Sequence, residues 1–186
     1  MDPPAHELQV TVFGHANFGD VEIRRGGVGL SAGYLGERLG VEIDAALHGH
    51  YYKDSRLGIP NACGTGETGP CVDNDSDAVV FMLDVLVPIP VPETSRWTPL
   101  GELGVGVNHA WIHDAGPYDS EQTNLAVNAG GGVLFRAKPW LAIRADARFL
   151  HVFVGSGHEG GYPDDYNFVR IALGVTLTPW RLPREP

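Results

Sequence analysis

From Leu8 to Leu177 apolar residues alternate with small or polar ones in about eight separate runs. The last of them, FVRIALGVTLTP, places Val169, Ile171, Leu173, Val175 and Leu177 on one parity and Arg170, Ala172, Gly174 and Thr176 on the other. Successive side chains of a strand point to opposite faces, so this run has one apolar face and one small or charged face.

The earlier runs repeat the pattern. Leu8, Val10, Val12, Ala16 and Phe18 oppose Gln9, Thr11, His15 and Asn17, and Val28, Leu30, Ala32 and Tyr34 oppose Gly27, Gly29, Ser31 and Gly33. Next, Leu39, Val41, Ile43, Ala45, Leu47 and Tyr51 oppose Glu42, Asp44, His48 and His50. Asp84 lies opposite Phe81, Leu83, Val85 and Val87, while Leu103, Val105 and Val107 face away from Glu102, Gly104, Gly106 and Asn108. Leu125, Val127, Ala129, Val133 and Phe135 then oppose Asn128, Gly130 and Gly132, and Leu141, Ile143, Ala145, Ala147 and Phe149 oppose Arg144, Asp146 and Arg148.

Connections alternate as well. Residues 35–38, 88–97 and 136–139 are tight or Pro-rich, whereas 53–77, 112–124 and 153–166 are long, polar and acidic; the first connection at that end, 19–26, is brief. Short turns collect at one end and long loops at the other, which predicts a closed, eight-stranded antiparallel up-and-down β-barrel spanning a membrane. Trp97, Trp140 and Trp180 fall at the short-turn end, and Tyr51, Trp111, Tyr166 and Phe168 near the long-loop end, where two aromatic girdles are expected.

The mixed parity decides which face meets what. A solvated strand face carries Thr, Lys, Glu and Arg throughout, whereas this one mixes Gly and Ala with isolated charges. Such a mixture suits the interior of a small barrel, where small residues make room for long ones. Glu42, Asp44, Asp84 and Glu102 are then expected to meet Arg144, Arg148 and Arg170 inside, with Asp146 in the same network, because an unpaired buried ion costs several kcal/mol. Leu30, Val41, Ile43, Val105, Ile143, Ile171, Leu173 and Val175 become the lipid-facing set, and no large channel is expected. The rival is a soluble, exported barrel of lipocalin type, in which those same side chains would line a ligand cavity. Their direction separates the two.

Length and charge narrow the picture further. The 186 residues suit one barrel domain over 1–186, with strands within about 7–178. A net charge of −10 without a Lys/Arg cluster excludes nucleic acid as a partner. No run of about 18 apolar residues provides a transmembrane helix. The start, Met1-Asp2-Pro3-Pro4, shows no secretory signal and is read as a mature beginning from which a signal has been removed. Cys63 and Cys71 close a short loop if oxidised, which favours an exported protein and makes them the disulfide candidate; unpaired thiols are the plainer alternative.

With these runs in view, the chain resembles the opacity-protein and outer-membrane-protein-A type of eight-stranded barrel. The likeness lies in GVGLSAGYLGERLGVEIDA, LGELGVGVNHAW, AGGGVLFRAKPWLAIRADARFLHV and DYNFVRIALGVTL. It implies the bacterial outer membrane as location, outer-membrane lipid as surroundings and other envelope proteins as partners reached through the extracellular loops. Such barrels commonly end on an aromatic residue, whereas here the chain continues into PWRLPREP, with Pro179 and Trp180 in place of that terminus.

No enzyme emerges. Outer-membrane lipid A deacylases are similar in barrel size and need a Ser two residues after a His; His151 occupies the comparable place, but Phe153 stands where the nucleophile should be. His48 and His50 share a parity with Glu42 and Asp44, so a metal or proton site is conceivable there, with polar filling the plainer account. Asp73, Asp75 and Asp77 imitate a calcium loop, yet Ala78 takes the place of its Gly. GGVGLSAG has alternating glycines and no following helix, so it is no phosphate loop. The expectation is a protein without catalytic residues, cofactor or metal, with a structural, adhesive or complex-forming role.

Overall fold

The computed structural model describes residues 6–20, 26–49, 75–92, 94–113, 120–155 and 165–182. Eight strands follow in chain order: β1 (His6–Gly19), β2 (Gly27–Gly36), β3 (Gly40–Gly49), β4 (Asp75–Pro88), β5 (Trp97–His113), β6 (Ser120–Lys138), β7 (Leu141–Phe153) and β8 (Tyr166–Leu182). Each pairs antiparallel with the next, and β8 returns to β1 to close the barrel. Closure leaves no strand edge unpaired, the condition for a sheet to stand in a medium without water.

β2 and β3 are joined through 37–39, where Gly36 donates its N–H to the Leu39 carbonyl at 3.0 Å, and β6 and β7 are joined through Pro139 and Trp140. β5 runs on to His113 and β6 begins at Ser120, so the expected loop 112–124 contracts to 114–119. The alternation that marks strands persists into residues whose composition reads as loop.

The end of β8 also differs from expectation. It continues through Pro179 and Trp180 to Leu182 rather than stopping at about residue 178. The register with β1 shifts at this point: Leu177 opposes Val10 and Trp180 opposes Leu8. Thr178 and Pro179 therefore share the single place of Gln9, a bulge that lets the ladder pass a residue with no N–H.

Register also explains the glycines. Phe13 on β1 sits between Gly29 on β2 and Gly174 on β8, Asp84 on β4 sits beside Gly104 on β5, and Arg148 on β7 sits beside Gly130 on β6. Long inward side chains lie over positions with no side chain. A β-carbon added at Gly104 would collide with the Asp84 carboxylate and come within 2.9 Å of the Asn128 amide. At Gly101, by contrast, the nearest atoms are 3.9 Å away.

Substituting Gly104→Val should therefore lower stability by about 1–3 kcal/mol, the usual cost of overpacking. Gly101→Ala should stay within about 0.5 kcal/mol of the parent. Midpoints of urea unfolding in detergent micelles measure both.

Candidate functional site

The interior parity assembles ionic groups from five strands. Glu42 lies on β3, Asp84 on β4, Glu102 on β5, and Arg144, Asp146 and Arg148 on β7, while Arg170 on β8 reaches Asp44 on β3. Arg148 is the hub: Nη1 meets Asp84 at 2.7 Å, Nη2 meets Glu42 at 3.2 Å, and Nε meets Glu102 at 2.6 Å and Asp146 at 3.2 Å. Arg144 meets Glu42 at 2.5 Å, Glu102 at 2.7 Å and Asp146 at 3.5 Å. Arg170 pairs with Asp44 at 2.9 Å, and its guanidinium lies 5.4 Å from the centre of the Phe13 ring. Of the candidate acids for Arg170 on β3, β4 and β5, Asp44 is the one for which a pairing is found.

Neutral donors add to some of the carboxylates. Ser31 donates to Glu42 at 3.0 Å and Asn128 to Asp84 at 2.7 Å. Toward the short-turn end, Arg136 holds both oxygens of Glu7 at 2.7 Å and Gln9 donates to Glu7 at 3.0 Å. The Glu7–Arg136 pair escapes a reading by runs because each residue lies just beyond the end of one. Extending either parity by one step finds it.

The long-loop half of the interior has a different chemistry. Ala78, Val80, Met82, Ala110, Ala126, Leu150, Val152, Tyr166 and Phe168 form one buried cluster. Tyr166 and Phe168, expected in a girdle, thus point inward; they share the even parity of Arg170, which outweighs their position near a strand end. Tyr166 accepts a 2.7 Å hydrogen bond from the amide of Asn108 on β5 and stacks on Phe168 at 6.5 Å. Phe168 stands edge-on to His48, which lies 4.3 Å from His15.

Outward, the apolar parity is exposed. Leu30, Val41, Ile43, Val105, Ile143, Ile171, Leu173 and Val175 all lie on the outer surface, from 47% exposed at Val41 and Ile143 to 63% at Leu173. Trp97, Trp140 and Trp180 lie outside at the short-turn end, and Phe18 and Phe153 outside at the other. A lipocalin-type carrier needs the apolar parity inside, and the structure has ions there instead. His151 donates through Nδ1 to Oδ1 of Asn167 at 2.7 Å, has Asp165 4.0 Å from Nε2, and packs edge-on to Phe153. Cys63, Cys71, His50, Tyr51 and Asp73 lie outside the described residues, as does the side chain of Asp75.

Among solved structures, the chain is similar to Neisserial surface protein A, at 16% identity over 94% of this chain and 97% of that one, with a TM-score of 0.63. The fold is that of the eight-stranded outer-membrane barrels. A major outer membrane protein from Thermus thermophilus aligns over 91% of this chain and 98% of its own at 16% identity, with a TM-score of 0.60. Ail, the attachment invasion locus protein of Yersinia pestis, aligns over 95% and 99% at 16% identity, with a TM-score of 0.53. No family model matches the chain, and no curated protein matches it.

Removing the hub cation leaves Asp84 without its arginine and leaves Glu42, Glu102 and Asp146 to Arg144 alone. Arg148→Met should cost about 3–5 kcal/mol, as when one partner of a buried pair is lost. Arg136→Met should cost less, because the Arg136 side chain is 19% exposed and water can replace it. Comparing the two unfolding midpoints in one detergent tests the ranking.

Proposed function

We propose that this chain is an integral protein of the bacterial outer membrane, acting without catalysis as a structural, adhesive or complex-forming barrel. One observation carries the membrane assignment: the fully buried Arg170 alternates along β8 with Ile171 and Leu173, which are 51% and 63% exposed. In water that is an inside-out protein. In a bilayer it is the stable arrangement, since each exposed aliphatic side chain is worth about 1.5–3 kcal/mol when removed from water.

Orientation follows from the loops. The tight β2–β3 and β6–β7 turns face the periplasm, and the opposite strand ends, which lead into residues 50–74, 114–119 and 156–164, face outward. These three segments carry Asp54, Glu67, Asp73, Asp114, Asp119, Glu159 and Asp164, an acidic set for contacts with other envelope proteins or external partners. Outer-membrane lipid surrounds the barrel wall. The solved barrels include a surface protein and an attachment invasion protein, and contact through outward loops on a rigid wall is the reading carried over to this chain.

His151 does not favour an enzyme. Its described partners are an amide, a carboxylate and an aromatic ring, and Phe153 stands at the position two residues on where a deacylase has its serine.

The folded chain should remain in solution only with detergent or lipid, and unboiled samples should migrate differently from boiled ones on a denaturing gel. A monodisperse, detergent-free monomer overturns the assignment. Within a bilayer, Ile171→Arg should cost about 2–4 kcal/mol, the value for a cation on the lipid face at mid-membrane, whereas a substitution toward the interface costs about 0–1 kcal/mol. Unfolding in lipid vesicles measures the difference.

A further inference from the structure

Two imidazoles meet in the barrel interior on the long-loop side of the Arg148 network. His15 on β1 and His48 on β3 are separated by β2, and the β2 residue at their level is Gly27, paired with His15 on one side and His48 on the other. Because Gly27 has no side chain, the rings meet above it, 4.3 Å apart between centroids and tilted by 57°. A β-carbon at this position would collide with the His15 ring and with the Leu47 carbonyl. The His–Gly–His row across three strands is therefore a built arrangement.

Its surroundings define the chemistry. Asn17, two residues from His15 on the same face, brings its amide within 2.6 Å of Nδ1 of His48. His15 is 7% exposed and Asn17 4%. No side chain among the described residues hydrogen-bonds either ring nitrogen of His15, and Oδ1 of Asn17 has no hydrogen-bond partner there. The Leu47 carbonyl offers a weak acceptor to one side of the His15 ring. An unmet buried ring nitrogen costs about 1–3 kcal/mol, so the His15 nitrogen turned away from Leu47, held against a second imidazole, calls for a ligand that engages it.

We propose that His15 and His48 bind one first-row transition-metal ion of the class that prefers imidazole, namely Cu(II), Ni(II) or Zn(II). The Leu47 carbonyl holds an N–H of His15, and the other nitrogen turns its lone pair to the ion. Asn17 is a positioning residue: its amide, which presents Nδ2 to Nδ1 of His48, turns over on loading so that Oδ1 accepts the Nδ1–H and Nε2 is left as the donor atom, the usual outer-shell support of a metal-binding His. Calcium and magnesium are disfavoured because they require oxygen ligands. Among the described residues no group of three or more His, Cys, Asp or Glu side chains is placed to hold a metal ion, so water completes the coordination. The nearby Arg170 charge is balanced by Asp44 at 2.9 Å, and Phe13 and Phe168 flank the two rings.

The test uses the full chain, folded in detergent and free of any polyhistidine tag. Titration with Cu(II), Ni(II) and Zn(II) salts by calorimetry should show one ion bound per chain for at least one metal. His15→Phe and His48→Phe, which retain ring volume, should each abolish that binding, and Asn17→Ala should weaken it by about tenfold. The pair His109→Gln and His151→Gln, outside the lumen, should leave it unchanged. Electron paramagnetic resonance of the Cu(II)-loaded parent should show hyperfine coupling to imidazole nitrogens. Failure to bind any of the three ions overturns the proposal, as does stoichiometric binding that survives both Phe substitutions. A parent spectrum without nitrogen coupling overturns it for copper even where a variant fails to fold.

Discussion

Everything in this barrel is arranged around two guanidinium groups placed where water cannot reach them. Arg148 and Arg144 leave the same strand two turns of the pleat apart and share Glu42, Glu102 and Asp146, with Asp84 added at Arg148. Those carboxylates come from β3, β4, β5 and β7, so the bonds cross the lumen and tie opposite walls together. A buried ion pair is a poor source of net stability, because desolvation offsets most of the attraction. What it supplies is direction. A slip of one residue in any of these strands would turn an Arg or a carboxylate toward the outer surface and leave its partners stranded, so register and inside–outside parity are set together.

Space is the second constraint, and it follows from the first. An eight-stranded barrel has an interior just wide enough for side chains, so arginines can cross it only if neighbouring positions are nearly empty. That is why Gly130 lies beside Arg148, Gly132 beside Asp146 and Gly174 beside Arg144. Glycine weakens an ordinary strand. Here its lack of a side chain is what lets the charged layer close. Among the described residues the interior holds six carboxyls, Glu7, Glu42, Asp44, Asp84, Glu102 and Asp146, against the four guanidiniums of Arg136, Arg144, Arg148 and Arg170. The shortfall in cations explains the placement of Gln9, Ser31 and Asn128, whose neutral N–H and O–H groups donate to Glu7, Glu42 and Asp84.

Much of this is legible in the chain because a period of two leaves no intermediate positions. Val169 to Leu177 alternate so cleanly that the strand and the face of Arg170 both follow from counting, and its partner is narrowed to a few acids. Local signals that compete with parity mislead where they are given more weight. Pro179 reads as a stop, but a bulge opposite Gln9 absorbs it and the strand runs on to Leu182. Tyr166 and Phe168 read as a girdle because aromatics gather at strand ends, yet their even parity sends them inward with Arg170. Glu7 and Arg136 are easily passed over because they sit at run ends, where apolar partners thin out. The meeting of His15 with His48 cannot be read from any one run, since it depends on the cross-strand level of Gly27, which two separate registers fix.

The interior therefore has two layers of opposite character, and their order is informative. Toward the short-turn end and middle, carboxylates from several strands share a few arginines. Toward the outward end, compensation gives way to rings and amides: His15, His48, Phe168, Tyr166 and Asn108 follow one another by contact from β1 across to β5. Aliphatic side chains such as Val80, Met82, Leu150 and Val152 fill part of the outward half and leave no polar atom unmet. Beside them His15, Asn17, Gln122 and Asn124 are buried with unmatched polar atoms, toward the long-loop end of the strands. Such atoms persist in a native interior when something else engages them, and in the outward layer His15 and Asn17 bring theirs against a second imidazole, His48.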